Sequence, residues 1–368
     1  MLGNIIRKAR TFMYDYPGIM EDAKGDGKFG SLKVALLTDY LTSVNLSFEC
    51  RVRSLTPNNF KDVLVNWKPD LVFVESAFHG YRWTWSYRLV KHSAVFGSND
   101  LNEFSELIRL ANDLHIPTVF WNKDDGAYFE PFIDVAEKCD FIYTTDANCV
   151  PKYRERVAAI SPDGKCSKHV SVMQIAYQPR VHNFTGFNFT KKRMCFVGSY
   201  YRKILNSRRL FLDAVFDVCN RKSVILDAYD RNSSRMSGYF EFRFPKSDFI
   251  KVYPSLTNQE TARVYKDYNV CLNVNSVTDS ETMYSRRLIE ILACGGILLT
   301  NGSKAVDLHF RDFCTSVDNP EELDDILPAM AEAPSKENMD RAFAGSEFVK
   351  KHHCWERRLE QMAGDIGL

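Results

Sequence analysis

A chain of 368 residues exceeds the usual size of one domain, so two domains, each with its own core, are expected. Lys and Arg number 48 against 47 Asp and Glu; a formal net charge of +1 supplies no global field for a polyanion, and no nucleic-acid partner is expected. The ten cysteines include no Cys-x-x-Cys, and Cys139, Cys195, Cys219, Cys271 and Cys294 lie in apolar contexts, which reads as reduced core thiols of a cytoplasmic protein and excludes a disulfide framework or a zinc site.

Residues 1–31 read as a leader ending in Gly25-Asp26-Gly27 and Gly30-Ser31. No apolar run approaches the roughly 20 residues of a membrane span. Basic Arg7, Lys8 and Arg10 beside Ile5, Ile6, Phe12 and Met13 leave room for peripheral association at the inner face of a membrane. From Lys33 the pattern becomes apolar strands alternating with amphipathic helices, the signature of a parallel α/β sheet. Strands are predicted at 34–37, 71–74, 118–121 and 141–143, with helices at 59–67, 101–114, 131–138 and 150–159. Asp39, Glu75, Asn122 and Asp146 come just past strand ends, where open α/β sheets place ligands. A polar, Asn-rich stretch reads as a linker, giving a first domain over 32–180 and a linker over 181–192.

The pattern then starts again over 193–335. Strands are predicted at 194–197, 224–226, 270–272, 297–299 and 315–317, and helices at 205–219, 259–268, 284–294 and 320–331. A last helix, 336–362, is predicted to bend at Gly345-Ser346; residues 336–368 are expected to cross back toward the first domain. His352, His353 and Cys354 are adjacent, so their side chains diverge, and they read as a tail segment, not a metal site.

The segment Ser280–Thr300, SETMYSRRLIEILACGGILLT, concentrates the chemistry. Leu288, Ile291, Leu292 and Gly295 share one helical face, while Arg286 and Glu290, four apart, share another. Gly295 and Gly296 suit the helix C-terminus. Ser280, Thr282, Ser285 and two arginines stand at its start, where free N–H groups and the helix dipole favour a phosphate. A surface Arg286–Glu290 ion pair accounts for the same spacing without any ligand.

An Arg-x-x-x-Glu ahead of Leu-Ala-x-Gly-Gly resembles the donor-site helix of GT-B glycosyltransferases, in which the glutamate binds the ribose of a nucleotide sugar. IPTVFWNKDDGAYFEPF (116–132), DFIYTTDANCVPKY (140–153), CFVGSYYRK (195–203), DAYDRN (227–232) and LNVNSVTDSETMYSRRLIEILACGG (272–296) extend the likeness to the CgeB-like bacterial glycosyltransferases, over roughly 71–317. The resemblance implies two Rossmann-like domains facing a cleft, acceptor side first and donor side second. It implies that Gly198, Ser199, Tyr200 and Arg202 meet the donor phosphates or sugar, that Tyr229, Arg231 and Tyr253 lie along the nucleotide, and that Ser280, Thr282, Arg286 and Glu290 complete the donor site. Many retaining relatives carry a second glutamate eight positions before the ribose-binding one; that position here is Thr282, with Glu281 one residue away, about 100° round a helix.

For the acceptor hydroxyl's proton, Asp124 and Asp125 are candidates, because adjacent carboxylates raise each other's pKa, as are Glu75 and His79. Tyr81, Trp83, Trp85 and Tyr87 offer stacking faces. Arg286 would stabilise the departing diphosphate. The expected activity is transfer of a sugar from a nucleoside diphosphate donor, UDP-sugar first, to a glycan or lipid-linked acceptor. No Asp-x-Asp occurs, so neither metal nor any cofactor beyond the donor is expected. An epimerase or hydrolase of the same fold, or a non-catalytic carbohydrate-binding protein, remain alternatives.

Overall fold

The computed structural model describes residues 23–90, 101–232 and 241–368. The basic and apolar side chains named in the leader fall outside them. The chain divides into two compact units: residues 1–174 joined by 355–368, and residues 175–354.

The first unit runs β1 (Ala23–Lys24), β2 (Lys33–Leu37), α1 (Tyr40–Ser47), β3 (Arg51–Ser54), α2 (Phe60–Asp62, continued by one wide turn, Val63–Trp67) and β4 (Leu71–Glu75). After it come α3 (Asn102–Asp113), β5 (Thr118–Asn122), α4 (Phe129–Ala136), β6 (Phe141–Thr144), α5 (Val150–Ile160) and β7 (His169–Val172). The strands form one sheet in the order β1-β3-β2-β4-β5-β6-β7. Only β1 is antiparallel to its neighbour. Every residue of β4 and β5 is buried, as expected of strands covered on both faces. In α3 the buried Phe104, Leu107, Ile108 and Ala111 repeat at helical spacing, which is why that helix is legible in the sequence. Arg51–Ser54 and His169–Val172 alternate polar with apolar over four residues and carry no strand signal of their own.

The second unit runs β8 (Lys191–Val197), α6 (Asn206–Lys222), β9 (Leu226–Asp230), β10 (Ile250–Pro254), α7 (Asn258–Asp267), β11 (Tyr268–Asn273), α8 (Arg286–Ala293), β12 (Leu298–Asn301), α9 (Lys304–His309), β13 (Thr315–Val317), α10 (Leu323–Glu332) and α11 (Lys336–His352). All its strands are parallel, in the order β10-β9-β8-β11-β12-β13. Two expectations change. The strand predicted at 224–226 lies instead at Leu226–Asp230, so Tyr229 and Asp230 fall inside β9 and only Arg231 follows it. The helix does not break at Gly345: α11 continues through it, and the glycine serves close packing, since a Cβ there would stand 3.0 Å from both Leu292 and Phe313. The break comes at His353-Cys354, where buried His353 Nδ1 lies 2.7 Å from the Tyr284 hydroxyl.

Beyond that break α12 (Trp355–Ile366) belongs to the first unit. Trp355 packs edge-on to Trp121 at 5.4 Å and Phe73 at 6.5 Å. Arg358 Nε donates to Gln174 O at 2.8 Å, and the Tyr143 hydroxyl to Asp365 at 2.9 Å. No helix among the described residues is long and apolar enough to cross a membrane.

Gly295 closes α8 at φ +71, with the Phe184 ring packed where a Cβ would stand. We expect Gly295→Ala to destabilise the second unit by about 1–3 kcal/mol. Denaturant unfolding followed by hydrogen exchange in both units should show the loss in the second unit alone.

Candidate functional site

The strand order of the second sheet reverses at β8, which has β9 on one side and β11 on the other. The carboxyl ends of β8 and β11 therefore frame the crevice in which open α/β sheets take ligands. Each of these strands is followed by a helix that sends one arginine back to this point. Arg208, from α6, donates Nη1 to Val274 O at 3.1 Å and Nη2 to Ser199 O at 3.0 Å. Arg287, from α8, donates Nε to Val197 O and Nη1 to Asn273 Oδ1 at 3.2 Å. Both guanidiniums lie over the Phe196 ring, 5.6 and 5.0 Å from its centroid.

Neither arginine is ion-paired with a carboxylate among the described residues, and Arg208 Nε is unbonded. Burial, then the charge of Arg287, pushes Arg208 down to about 9; burial also lowers Arg287. Two cations drawn in from water and bonded only to neutral acceptors have the charge and the donors to receive an anion. The strand ends beneath them are locked by side-chain amides: Asn273 Nδ2 donates to Asn275 Oδ1 at 3.1 Å and Thr300 Oγ1 at 3.0 Å, and Asn301 Oδ1 accepts from Asn275 N at 2.7 Å. Asn275 Oδ1 also accepts the Ser285 N–H at 3.0 Å, fixing the start of α8.

Sequence reading passes over Arg208 and takes Arg287 only as one of two arginines at the helix start. Their signal was position: Arg287 is four residues before Ile291, and Arg208 three and four before Phe211 and Leu212, so both fall within apolar stripes.

The predicted donor residues have varied surroundings. At Gly198 a Cβ would stand 2.8 Å from Arg287 Nη2, so this glycine admits the arginine. Ser199 Oγ donates to Asp230 Oδ1 at 2.6 Å and accepts from Asn232 Nδ2 at 2.8 Å. Tyr200 is a correction: it is buried, donates to Asp213 at 2.7 Å and packs against Phe216 and Phe244, so it belongs to the core. Arg202 donates to Arg243 O at 3.0 Å and lines an open cleft of 790 Å³ with Asp230, Phe242 and Lys246. Tyr229 stacks on Tyr253 of the edge strand at 5.3 Å, leaving Tyr253 38% exposed; Arg231 is exposed.

Ser280 and Thr282 are also corrected. The helix begins at Arg286, and buried Ser280 Oγ accepts from Thr282 N and Met283 N, making a turn well before it. Arg286 and Glu290 do meet, Nε to Oε1 at 3.0 Å, but unevenly: the arginine side chain is 44% exposed and the carboxylate 7%.

In the first unit the order reverses at β2, between β3 and β4. Glu75 ends β4 fully buried. Its Oε1 accepts from Asp39 N and from Lys123 Nζ at 2.9 Å, its Oε2 from Thr42 Oγ1 at 2.5 Å. Burial pushes this carboxyl up while Lys123 opposes the shift; the neighbouring carboxylates, against burial, push the Lys123 ammonium up. Asp124 is partly exposed and accepts from Ser76 Oγ at 3.0 Å. Asp125 is 0% exposed, with Oδ1 accepting from Asn122 Nδ2 at 2.7 Å. Its carboxyl is raised to about 7 chiefly by burial, with Asp124 the smallest contributor, so the side-by-side carboxylates are not the cause. Glu75 and Asp125 are thus both sealed from an acceptor in solution, which corrects their assignment as direct bases. His79 stacks on Trp83 at 3.6 Å with Nδ1 3.2 Å from Ser86 Oγ. Trp85 is core, its indole donating to Leu55 O at 2.9 Å.

Residues 208–364 match the family model described as glycosyl transferase-like. None of the curated proteins matches the sequence. Among solved structures the chain is similar to an alpha-glucosyltransferase in complex with UDP-glucose and DNA containing an abasic site, with 12% identity over 92% of this chain and 100% of that one and a TM-score of 0.61. It is similar to Anabaena HepE in complex with UDP-glucose, at 11% identity over 91% of each chain and a TM-score of 0.52. A glycosyltransferase from Rickettsia africae covers 91% of this chain and 89% of its own, at 10% identity and a TM-score of 0.54. The chain thus has the GT-B fold of two Rossmann-like domains. One expectation is overturned: an enzyme of this fold is seen bound to DNA, so near-neutral charge does not exclude a nucleic-acid partner.

The Asp125 carboxyl sets a pH dependence. Its folded pKa lies above its unfolded one, so the folded state holds the extra proton between about pH 4 and 7. This unit's stability should fall across that window by a few kcal/mol, the penalty being complete above it. Denaturant unfolding at pH 5 and 8 should show a smaller fall for Asp125→Asn than for the wild type.

Proposed function

We propose that this protein transfers a sugar from a nucleoside diphosphate donor, UDP-sugar first, to an acceptor hydroxyl, and that it belongs with the CgeB-like enzymes. The observation that carries the reading is the pair of arginines, buried Arg208 and half-buried Arg287, without carboxylate partners among the described residues at the reversal point of the second sheet. A diphosphate has the charge and the oxygens to bridge them.

In this reading the donor's diphosphate lies at the carboxyl ends of β8 and β11, beside the start of α8. Ser285 caps that helix without a side-chain bond, leaving the first-turn N–H groups to face an anion. As the bond from sugar to diphosphate breaks, negative charge grows on the leaving oxygen. Two guanidiniums already fixed by their bonds to the strand ends stabilise it without reorganising. Arg286 adds an exposed third cation, and Glu290 accepts from a ribose diol once Arg286 swings from it to the phosphate. The Tyr229–Tyr253 stack offers a flat face to the base. Ser199 and Arg202 stand nearest the transferred sugar. The arginines supply the charge that a divalent ion supplies in metal-dependent transferases, so none is required. Acceptors to screen are glycans, lipid-linked glycans and DNA.

Arg208→Gln and Arg287→Gln should each weaken UDP binding about 10–100-fold by calorimetry, the worth of a charge-assisted contact. Unchanged affinity in both would remove the donor reading. Turnover of UDP-sugar should be the same with EDTA as with added manganese; activity abolished by EDTA and restored by manganese would defeat the metal-free mechanism.

A further inference from the structure

The Asn-rich stretch ahead of β8 mixes phenylalanine with small polar residues, Asn183-Phe184-Thr185-Gly186-Phe187-Asn188-Phe189-Thr190. Phe184 packs where a Cβ of Gly295 would stand, which anchors the stretch to the end of α8. Phe189 N donates to Lys266 O at 3.2 Å, near the end of α7. Between the two anchors Gly186 turns the chain at φ +102, a conformation that favours glycine, and Phe187 stands 39% exposed, stacked on Phe189 at 5.3 Å. An open cleft of 590 Å³ separates this loop from α7, with Phe187, Thr190, Gln259 and Arg263 among its walls. Two further lining positions, Thr190 and Asp267, immediately precede Lys191 and Tyr268, the paired first residues of β8 and β11. The cleft therefore lies at the amino end of the second sheet, away from the crevice at the carboxyl ends.

Its polar wall is fixed but not saturated. Buried Asp267 accepts from Asn188 Nδ2 through Oδ1, while its Oδ2 lies 3.6 Å from Arg263 Nε, beyond hydrogen-bond reach. Lys266 Nζ donates to Asn183 Oδ1 at 3.2 Å and to Thr185 Oγ1 at 3.0 Å, which uses two of an ammonium's three N–H groups. The Gln259 and Thr190 side chains make no hydrogen bond among the described residues. Two cations against one carboxylate provide no field for a polyanion. Spare donors and acceptors around an exposed phenyl face match a sugar ring, whose hydroxyls both donate and accept while its C–H face is apolar.

We propose that this cleft binds a saccharide chain, as a holding site separate from the nucleotide crevice. One ring lies on Phe187, and its hydroxyls bond to Gln259, Thr190 and Arg263. A polymer held here keeps its other sugar units at raised local concentration around the protein. The site goes beyond the donor reading and does not depend on it, because it needs no nucleotide and no group outside the second unit.

The test titrates the full-length protein with maltohexaose, cellohexaose, laminarihexaose and chitohexaose by calorimetry, with and without saturating UDP. The wild type is compared with Phe187→Ala, Phe187→Tyr and the double variant Gln259→Ala/Arg263→Ala. At least one hexasaccharide should bind the wild type, and equally well with UDP present. Phe187→Ala and the double variant should each weaken that sugar about 10-fold or more, whereas Phe187→Tyr, which keeps the ring, should bind it as the wild type does. UDP affinity and melting temperature should not change in any variant, since all three side chains are exposed and none belongs to the nucleotide crevice. No hexasaccharide binding to the wild type, binding that UDP competes away, or binding untouched in both alanine variants each overturns the proposal. A wild type that takes a hexasaccharide through Phe187 but no UDP upholds this site and removes the donor reading.

Discussion

Positive charge drawn in from water and bonded to no carboxylate among the described residues is the constraint around which the second unit's strand ends are arranged. An isolated buried guanidinium is unfavourable by several kcal/mol unless every N–H finds an acceptor. Here carbonyls at the strand ends, one asparagine and an aromatic face share that task for two of them. Each is an acceptor with no charge, so the pair is tolerated and not neutralised. Gly198 follows from it, since any side chain there would displace Arg287. So does the amide lattice of Asn273, Asn275 and Asn301, which holds the carbonyl-bearing ends in register.

The first unit solves the opposite problem. Glu75 is a buried anion, and it is satisfied by a backbone N–H, a hydroxyl and an ammonium. Lys123 then leans toward Asp39 as well, so the sealed carboxylate and a partly exposed one share a cation. Burial decides which carboxylates meet solvent; adjacency in sequence does not. Asp124 and Asp125 are neighbours along the chain but differ in burial, the first partly exposed and bonded to Ser76, the second sealed in the interior.

The alternation of strands and helices was legible wherever apolar residues ran unbroken or repeated at helical spacing, as in β4, β5 and α3. It was not legible where an element is short and half polar, as in β3 and β7, or where charged residues sit inside a strand, as Asp227 and Asp230 do in β9. The site was legible in the same uneven way. Spacing found the Arg286–Glu290 pair, because i and i+4 on a helix must meet. It missed Arg208, and took Arg287 only as one of two arginines at a helix start, because an arginine beside an apolar stripe reads as a surface residue until its bonds to the strand ends are seen. Asp39 was visible as a residue past a strand end; that its carboxylate makes no capping bond to α1 is a fact of side-chain direction, which no linear pattern carries.

The return of the chain to the first unit at Trp355 has a consequence for biosynthesis. The second unit is one uninterrupted stretch, whereas the first is finished only when α12 arrives with Trp355 to pack on Trp121 and Phe73. During translation the later half of the molecule therefore has all its residues before the earlier half does. The first sheet must wait, with that aromatic contact surface open, until Trp355 and the helix it starts have been made.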